Sequence, residues 1–334
     1  GARISWDELT CVGYDVTEAA TQNLCKDIEV FRRKAGLSEQ AVRKEQLFNW
    51  KILKNKDGNV LASNAYVLLT SDYFPFSKTQ CAVFKGIDRT VFLDKREYTG
   101  PIYKQIESAV EFVLRNIRLG ATIDGLVRRE NYELPVEAIR EMIINAHCHR
   151  NLSDESCIQV AIYDDRLEVT SPGGLYNGLT YEEVLSGHSK IRNKLIANVF
   201  SQMGLVEAWG SGIRRILNKA EEYGLKEPKI EAFDDMFRVN LYRNIGENIG
   251  ENIGESIGES IGDELEFDVS RLNESQIKIL KNLKEDKYLS ATKLAKITGI
   301  SRRNVENNIK KLKDMGVLVR QGSPKYGYWI ITKR

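Results

Sequence analysis

An amphipathic stretch between Leu134 and Arg150 constrains the fold more than any other feature of the chain. Pro135 stands where the first turn of a helix tolerates a missing N–H group. Apolar residues then recur at i, i+3, i+4 and i+7, at the positions Ile139, Met142, Ile143 and Ala146. This spacing predicts a helix that buries one face in a core.

A polar stripe runs beside the apolar one. Its members follow each other at intervals of four residues and are Glu137, Glu141, Asn145 and His149. Side chains at this spacing share one face of a helix, so a carboxylate, an amide and an imidazole are expected side by side. The same stripe is also typical of a solvated helix face, and the helix alone does not decide between the two.

The residues after this helix favour a site. Residues 157–164 and 166–170 have the composition of two strands that are joined at Asp164 and Asp165. The second strand is followed by the sequence Ser-Pro-Gly-Gly-Leu over residues 171–175, and a Gly-Ser-Gly sequence at residues 210–212 later opens another helix. Backbone N–H groups of such a G-x-G pattern can approach a phosphate at the positive end of a helix.

This order of elements resembles the Bergerat (GHKL) ATP-binding fold, which gyrase-type topoisomerases, histidine kinases, mismatch-repair proteins and heat-shock chaperones share. More closely, the stretches EAIREMIINAHCHRN, DDRLEVTSPGGL, RNKLIANVF and GLVEAWGSGIRRI are similar to a bacterial family of transcriptional regulators described as helicase-related or Schlafen-type. The resemblance covers roughly residues 5–243 and the carboxy-terminal module. It implies a nucleic-acid-associated region, a divergent ATPase-like domain and a winged helix, in that order.

The resemblance also implies roles for individual residues. Glu141 would activate the water that attacks the γ-phosphate of ATP, and Asn145 would hold Mg²⁺. The other nucleotide contacts are expected from glycines that allow a close backbone approach, from an imidazole and from two cations. These residues are His149, Gly173, Gly174, Lys190, Arg192, Gly210 and Gly212. For the two cations, the alternative is a solvated loop.

One position departs from the resembled pattern. The Bergerat fold reads the adenine amino group with the Asp of D-x-G-x-G, whereas Ser171 stands at this point of the chain. Asp164 and Asp165 lie at the predicted hairpin tip, too far away to replace the missing carboxylate. We therefore expect weak or absent ATP hydrolysis. A P-loop motor is excluded, because the pattern G-x-x-x-x-G-K-[ST] does not occur in the sequence.

The sequence His147-Cys148-His149, together with Cys157, contains residue types that ligate zinc. Residues two apart on a helix point to different faces, so the pattern disfavours a zinc site. It favours instead a role for His149 and Arg150 at the carboxy-terminal end of the helix, where positive charge is favourable.

Composition and length bound the architecture. A chain of 334 residues with 42% hydrophobic and 29% charged residues is typical of a globular protein of two or three domains. No apolar run is long enough to span a bilayer, and five cysteines without a C-x-x-C pair predict reduced thiols in the cytoplasm. The chain begins with Gly-Ala and no Met, as a fragment with a tag remnant would, and the family resemblance implies that a further domain precedes it.

Residues 1–125 contain no catalytic motif and predict an α+β support domain. Helices are expected over residues 17–35, 38–50 and 103–117, and strands over residues 80–85 and 90–93. The ATPase-like domain is expected over residues 126–243. A tetrapeptide repeat with Gly at every fourth position follows in residues 244–264, where it predicts a linker, the alternative being a helix that forms on docking or dimerisation.

Residues 265–334 predict a winged helix-turn-helix. Three short helices begin after Asn273, Ser290 and Ser301, and two strands flank the tip at residues 321–325. From Ser270 onward the chain has 16 Lys and Arg against 5 Asp and Glu, a net charge of +11, whereas the remainder carries −9. This asymmetry indicates a module that binds nucleic acid. The predicted DNA contacts are Arg302, Arg303, Asn304, Asn307, Lys310, Arg320 and Lys325.

The predicted fold class is α+β: a support domain, a Bergerat-like α/β sandwich and a winged helix-turn-helix. The protein is predicted to be a cytoplasmic regulator that binds double-stranded DNA as a homodimer. It is expected to sense ATP with Mg²⁺, or another small ligand, and not to bind a membrane. Two alternatives remain: an ATP-hydrolysing GHKL-type enzyme that acts on nucleic acid, and a degenerate domain that serves as a dimerisation scaffold.

Overall fold

The computed structural model describes residues 4–124, 127–206, 211–244, 272–321 and 328–332. The chain divides into two compact units, of which the first comprises Gly1–Leu217 with Lys229–Asn240, and the second comprises Asn218–Pro228 with Leu241–Arg334. The linker predicted over residues 244–264 lies outside the described residues except for its first position. In the described part of the chain, no helix has both the length and the apolarity that a membrane span requires.

Helices and strands before the carboxy-terminal module follow the predicted order. The helices are α1 (Glu18–Lys34), α2 (Lys44–Asn49), α3 (Asn64–Thr70), α4 (Ile102–Asn116), α5 (Val136–His149), α6 (Tyr181–Leu185), α7 (Lys194–Gln202) and α8 (Gly212–Glu222). The strands are β1 (Leu53–Lys56), β2 (Asn59–Ala62), β3 (Thr79–Lys85), β4 (Val91–Tyr98), β5 (Leu119–Asp124), β6 (Val127–Tyr132), β7 (Ile158–Ile162), β8 (Arg166–Pro172), β9 (Lys229–Ala232) and β10 (Met236–Tyr242).

Helix α2 is shorter than the helix predicted over residues 38–50. The segment before it is extended, because side chains of α1 bind its backbone groups. Arg32 donates to the Ser38 carbonyl at 3.3 Å, and the Glu29 carboxylate accepts from the Val42 N–H at 2.7 Å. These contacts take the backbone groups that another helical turn would need.

A six-stranded mixed sheet forms the framework, in the order β4-β3-β7-β8-β10-β9. Strands β3 and β7 are parallel, whereas β3 with β4, β7 with β8 and β9 with β10 are antiparallel. Helix α4 packs against β3 and helix α5 packs against β8. All four apolar residues of the predicted stripe on α5 are buried. The predicted α+β class is confirmed, and the sheet is mixed.

One sheet contains strands from both sides of the boundary that is predicted at residue 125. Strands β3 and β4 come from the predicted support domain, yet they lie in the same sheet as β7–β10. The register places Cys81 beside Val160 and Ala82 beside Ala161. Because the two segments share this continuous ladder, they form one compact unit.

Two buried polar side chains hold the ends of α5 and α7. The Asn193 amide donates to the carbonyls of Cys148 and Arg150 at 3.0 and 2.9 Å, and so satisfies the end of α5. The Asp7 carboxylate accepts from the N–H groups of Leu195 and Ile196, both at 2.9 Å. Burial raises the pKa of this Asp7 carboxyl above its usual value. A residue near the start of the chain therefore caps α7.

The prediction that His149 adds positive charge at the end of α5 is wrong. Burial, and then the charge of Arg192, lower the pKa of His149 to about 4, so this imidazole is neutral at pH 7. Arg150 is buried and its guanidinium donates to the carbonyls of Asp154 and Ser156, at 3.0 and 2.7 Å. The arginine thus holds the following loop, while Asn193 satisfies the helix end.

The carboxy-terminal module has the predicted three helices and hairpin: α9 (Glu274–Glu285), α10 (Ala291–Thr298), α11 (Arg302–Asp314), β11 (Leu318–Gln321) and β12 (Tyr328–Ile331). The side chains of Asn273, Ser290 and Ser301 cap the three helices as predicted. Its core is a continuous apolar cluster that includes Leu280, Leu294, Val305, Leu312 and Trp329. Ile297 and Met315, which the helical period also assigns to this core, are exposed.

Candidate functional site

A cavity of about 390 Å³ lies in the first unit. Helices α5, α7 and α8, the end of β8, strand β10 and the segment between β8 and α7 contribute its walls. Volumes of this size are typical of small-molecule sites in proteins. Among the described residues that line it, four side chains are basic and one is a carboxylate: Lys190, Arg192, Lys194, Arg215 and Glu141. The lining therefore suits an anion.

Eight of the nine residues predicted for catalysis and nucleotide binding line this one cavity. They are Glu141, Asn145, His149, Gly173, Gly174, Lys190, Arg192 and Gly212. The ninth, Gly210, lies outside the described residues. On α5, the polar stripe borders the cavity beside Met142 and Ala146, so its helix face is not simply solvated.

Helix α8 approaches α5 closely at Gly212. A Cβ atom at this position would lie 2.6 Å from the Asn145 amide nitrogen, and it would also collide with the Glu141 carboxylate. Glycine therefore leaves room for these two side chains in the positions that they occupy. The amino-terminal end of α8 consequently faces the two side chains for which the sequence predicts catalytic and Mg²⁺-binding roles.

Arg215, which the sequence analysis does not assign to the site, also lines the cavity. Its Nη1 atom lies 3.3 Å from Glu141 Oε2, and the Glu141 side chain is 9% exposed. Arg215 follows Gly212 by three residues, which places both on one face of α8. That spacing is the signal from which the residue could have been predicted.

The two predicted cations differ in their surroundings. Arg192 is half-buried, donates to the Gly174 carbonyl at 2.6 Å and lies 5.0 Å from the centre of the Tyr176 ring. Within the described residues, the Arg192 Nε–H is buried without a hydrogen-bond partner. Lys190 is exposed and donates to the Asn177 carbonyl at 2.7 Å. Arg192 is thus built into the wall, whereas Lys190 lies at the rim.

The glycine turn after β8 requires its glycines. Gly173 has φ +97°, a conformation that favours glycine, and its N–H donates to the Asp235 carbonyl at 2.6 Å. A Cβ atom at Gly174 would lie 2.8 Å from the Asp234 carbonyl oxygen. The turn therefore packs backbone against backbone at the edge of the cavity.

The end of β8 presents Ser171 to the cavity, where the resembled pattern has the adenine-reading Asp. Ser171 is buried. Asp164 lies elsewhere and accepts from the Gly86 N–H at 2.9 Å, and Asp165 pairs with Arg166 at 2.8 Å. Neither carboxylate lines the cavity, so the base-reading carboxylate is not replaced by either of them.

The two histidines of α5 point to different surroundings. His147 is buried, and its Nε2 atom lies 2.9 Å from the Thr79 hydroxyl, whereas His149 lines the cavity. Burial, and then the charge of Arg150, lower the pKa of His147 to about 3. The described residues contain no group of three or more His, Cys, Asp or Glu side chains arranged for a metal ion.

Four of the residues predicted to contact DNA are exposed on α11: Arg302, Arg303, Asn307 and Lys310. The prediction for Asn304 is wrong, because this side chain is 3% exposed. Residue 304 lies in the first turn beside the buried Val305, so its face of α11 packs on the module.

The predicted wing contacts are only partly described. Arg320 in β11 is half-buried, and its guanidinium lies 4.9 Å from the centre of the Trp329 ring. Lys325 lies outside the described residues.

Two parts of the chain each match a known protein family. Residues 155–241 match the family described as "Putative ATP-dependent DNA helicase recG C-terminal", and residues 275–328 match the family described as "HTH domain". The first match contains the glycine turn, Arg192, Gly212 and Arg215, whereas Glu141 and Asn145 precede it. No curated protein matches the chain.

One solved structure with a similar fold is that of the DIP2311 protein from Corynebacterium diphtheriae. The TM-score is 0.60 at 18% sequence identity, and the match covers 99% of this chain and 65% of that one. The chain therefore spans about 65% of the length of the solved structure that it matches. At this identity the similarity concerns the fold alone. The chain combines an ATPase-like domain of the recG C-terminal type with a carboxy-terminal helix-turn-helix domain, which is the domain pair of the helicase-related, Schlafen-type regulators that its sequence resembles.

Proposed function

We propose that the protein is a DNA-binding transcriptional regulator whose ATPase-like domain senses a nucleotide. The observation that carries this proposal is one cavity in which Glu141, Asn145 and Gly212 meet under a basic wall. The helix-turn-helix domain supports DNA as the second partner. Nucleotide binding would bias the DNA-binding state of a homodimer, because a ligand shifts an equilibrium by its differential affinity for two states.

The residues fit ATP with Mg²⁺. Phosphate groups are favoured by the amino-terminal end of α8 and by the cations Arg192, Lys190 and Arg215. The side-chain oxygen of Asn145 is the kind of ligand that Mg²⁺ prefers, and Mg²⁺ would neutralise phosphate charge there. The Arg192 Nε–H, which has no hydrogen-bond partner among the described residues, supplies one donor for a bound anion.

Sensing fits the site better than rapid turnover does. Glu141, the expected general base, is paired with Arg215, and Ser171 replaces the adenine-reading carboxylate. The alternative enzyme, an ATPase that acts on nucleic acid, requires turnover near 1 s⁻¹ or faster. Loss of such turnover in Glu141→Ala would identify that alternative.

ATP with Mg²⁺ is expected to bind the full chain, and Asn145→Ala is expected to weaken binding by about tenfold or more, the effect of losing one charge-assisted contact. Isothermal titration calorimetry gives both affinities. The control is Asn218→Ala, which changes an exposed amide of α8 that does not line the cavity and should bind as the unmodified chain does. Absence of binding at millimolar ATP would favour the dimerisation scaffold and contradict the sensor.

Duplex DNA is expected to bind the full chain with an affinity that falls steeply as the salt concentration rises. The reason is that binding releases counterions from the DNA phosphates, and this release is less favourable at high salt. Replacing the exposed Lys310 by alanine should weaken binding to all DNA sequences. It should also reduce the slope of log affinity against log salt concentration by about one. Fluorescence anisotropy at several salt concentrations measures this slope. The charge-matched control is Lys56→Ala, an exposed lysine of β1. No binding at about 50 mM salt would exclude DNA and leave a protein-interaction module.

A further inference from the structure

The carboxylate expected to act as general base already has a cationic partner. Glu141 is buried at 7% exposure, and its Oε2 atom lies 3.3 Å from Arg215 Nη1. A buried carboxylate without compensating charge is strongly destabilised, so the guanidinium stabilises the ionised form. The pairing holds Glu141 in one orientation in the protein without nucleotide.

Arg215 has access to the cavity as well as to Glu141. Its side chain lines the cavity and is 32% exposed. Gly212 brings the start of α8 against Glu141 and Asn145, and one turn later Arg215 meets the same carboxylate. A phosphate bound at this helix end would therefore lie within the surroundings of Arg215, in competition with Glu141.

We propose that Arg215 is a latch, which holds Glu141 in the nucleotide-free protein and exchanges it for the terminal phosphate of a nucleoside triphosphate. A guanidinium binds phosphate through paired donors, so the exchange replaces one charge-assisted contact by another. This inference rests on the proposed nucleotide site. It adds the residue that makes the site bind a triphosphate more tightly than a diphosphate. It also assigns the release of Glu141 to ligand binding.

Competition between two anions for one guanidinium has a specific consequence. Without the Glu141 charge, Arg215 no longer has to leave this carboxylate, so the affinity for a triphosphate should rise. Removal of Arg215 should lower this affinity and leave that for a diphosphate nearly unchanged. The two effects should depend on each other, since both act through the same contact.

The test is a double-mutant cycle on the full chain: the unmodified protein, Arg215→Gln, Glu141→Gln and the double variant. Equilibrium dialysis measures the affinities for ATP and for ADP, each with Mg²⁺. We expect Arg215→Gln to weaken ATP binding by about fivefold or more and ADP binding by less than about twofold. Glu141→Gln should strengthen ATP binding by about fivefold or more, but by less than about twofold when combined with Arg215→Gln.

Equal strengthening by Glu141→Gln in both backgrounds would show ordinary repulsion between the carboxylate and phosphate, and would overturn the latch while the nucleotide site stands. Failure of the unmodified protein to bind either nucleotide would overturn the proposed function itself, and the latch with it. Thermal unfolding without ligand shows whether Arg215→Gln is folded. If it is not, the double variant, in which no Glu141 charge remains, is compared with Glu141→Gln alone, and equal ATP affinities of these two proteins overturn the latch.

Discussion

Replacing Glu168 by alanine is expected to lower the free energy of unfolding by about 3 kcal/mol, the lower end of the range for breaking a buried ion pair. The Glu168 side chain is 4% exposed, and three guanidinium groups surround its carboxylate. The nearest is Arg89 at 2.8 Å, followed by Arg166 at 3.3 Å and Arg238 at 3.5 Å. Without the carboxylate, the three cations would lose the anion that they share, and Arg166 and Arg238 would keep Asp165 and Glu231 as partners.

The lower end of the range applies because the arginines keep access to water. Their side chains are 43%, 19% and 25% exposed for Arg89, Arg166 and Arg238. Glu168→Gln, which keeps the volume and removes the charge, separates electrostatics from packing. The control is Glu97→Ala in β4, whose more exposed ion pair with Lys78 should contribute far less to stability. Urea unfolding measures all three variants, and equal losses for Glu168→Ala and Glu97→Ala would contradict the prediction.

Gly212→Ala is expected to weaken ATP binding by about tenfold or more and to leave the fold nearly unchanged. The added methyl group would collide with the ends of the Asn145 and Glu141 side chains. Such side chains can turn away at little cost to the fold, and alanine is the better helix former. The same movement takes the amide and the carboxylate out of the positions that the proposed site requires.

Calorimetric ATP titration and thermal unfolding of the same sample test both halves of this expectation. Asn218→Ala again serves as the control, because it changes an exposed position of α8. An unfolding temperature near that of the unmodified protein, together with unchanged ATP affinity, would show that the close approach of α8 to α5 plays no part in binding.

Local periodicity predicted the helices that matter most for the site. The spacing of Ile139, Met142, Ile143 and Ala146 defines α5 and its buried face, and all four side chains are buried. The polar stripe beside them consequently borders a cavity wall at Glu141, Asn145 and His149. Both results follow from 3.6 residues per turn, which the sequence contains without reference to the rest of the chain.

Helix caps carried the same kind of local information in the carboxy-terminal module. Asn273, Ser290 and Ser301 each bind a backbone N–H three residues further on, as their types and positions predicted. Periodicity was less informative where a helix is short. Ile297 and Met315 continue the apolar pattern but are exposed, because they lie near the ends of α10 and α11.

The sequence alone thus determined the buried face of α5, and the helix caps and the basic character of the carboxy-terminal module. Tertiary structure alone decided which distant groups meet: Asp7 at the start of α7, β3 beside β7, and Arg215 against Glu141. It also buried Asn304 and joined two predicted domains in one sheet. The physical reason is that periodicity and capping act within a few residues, whereas these contacts join groups separated by tens to almost two hundred residues and form only when whole elements pack.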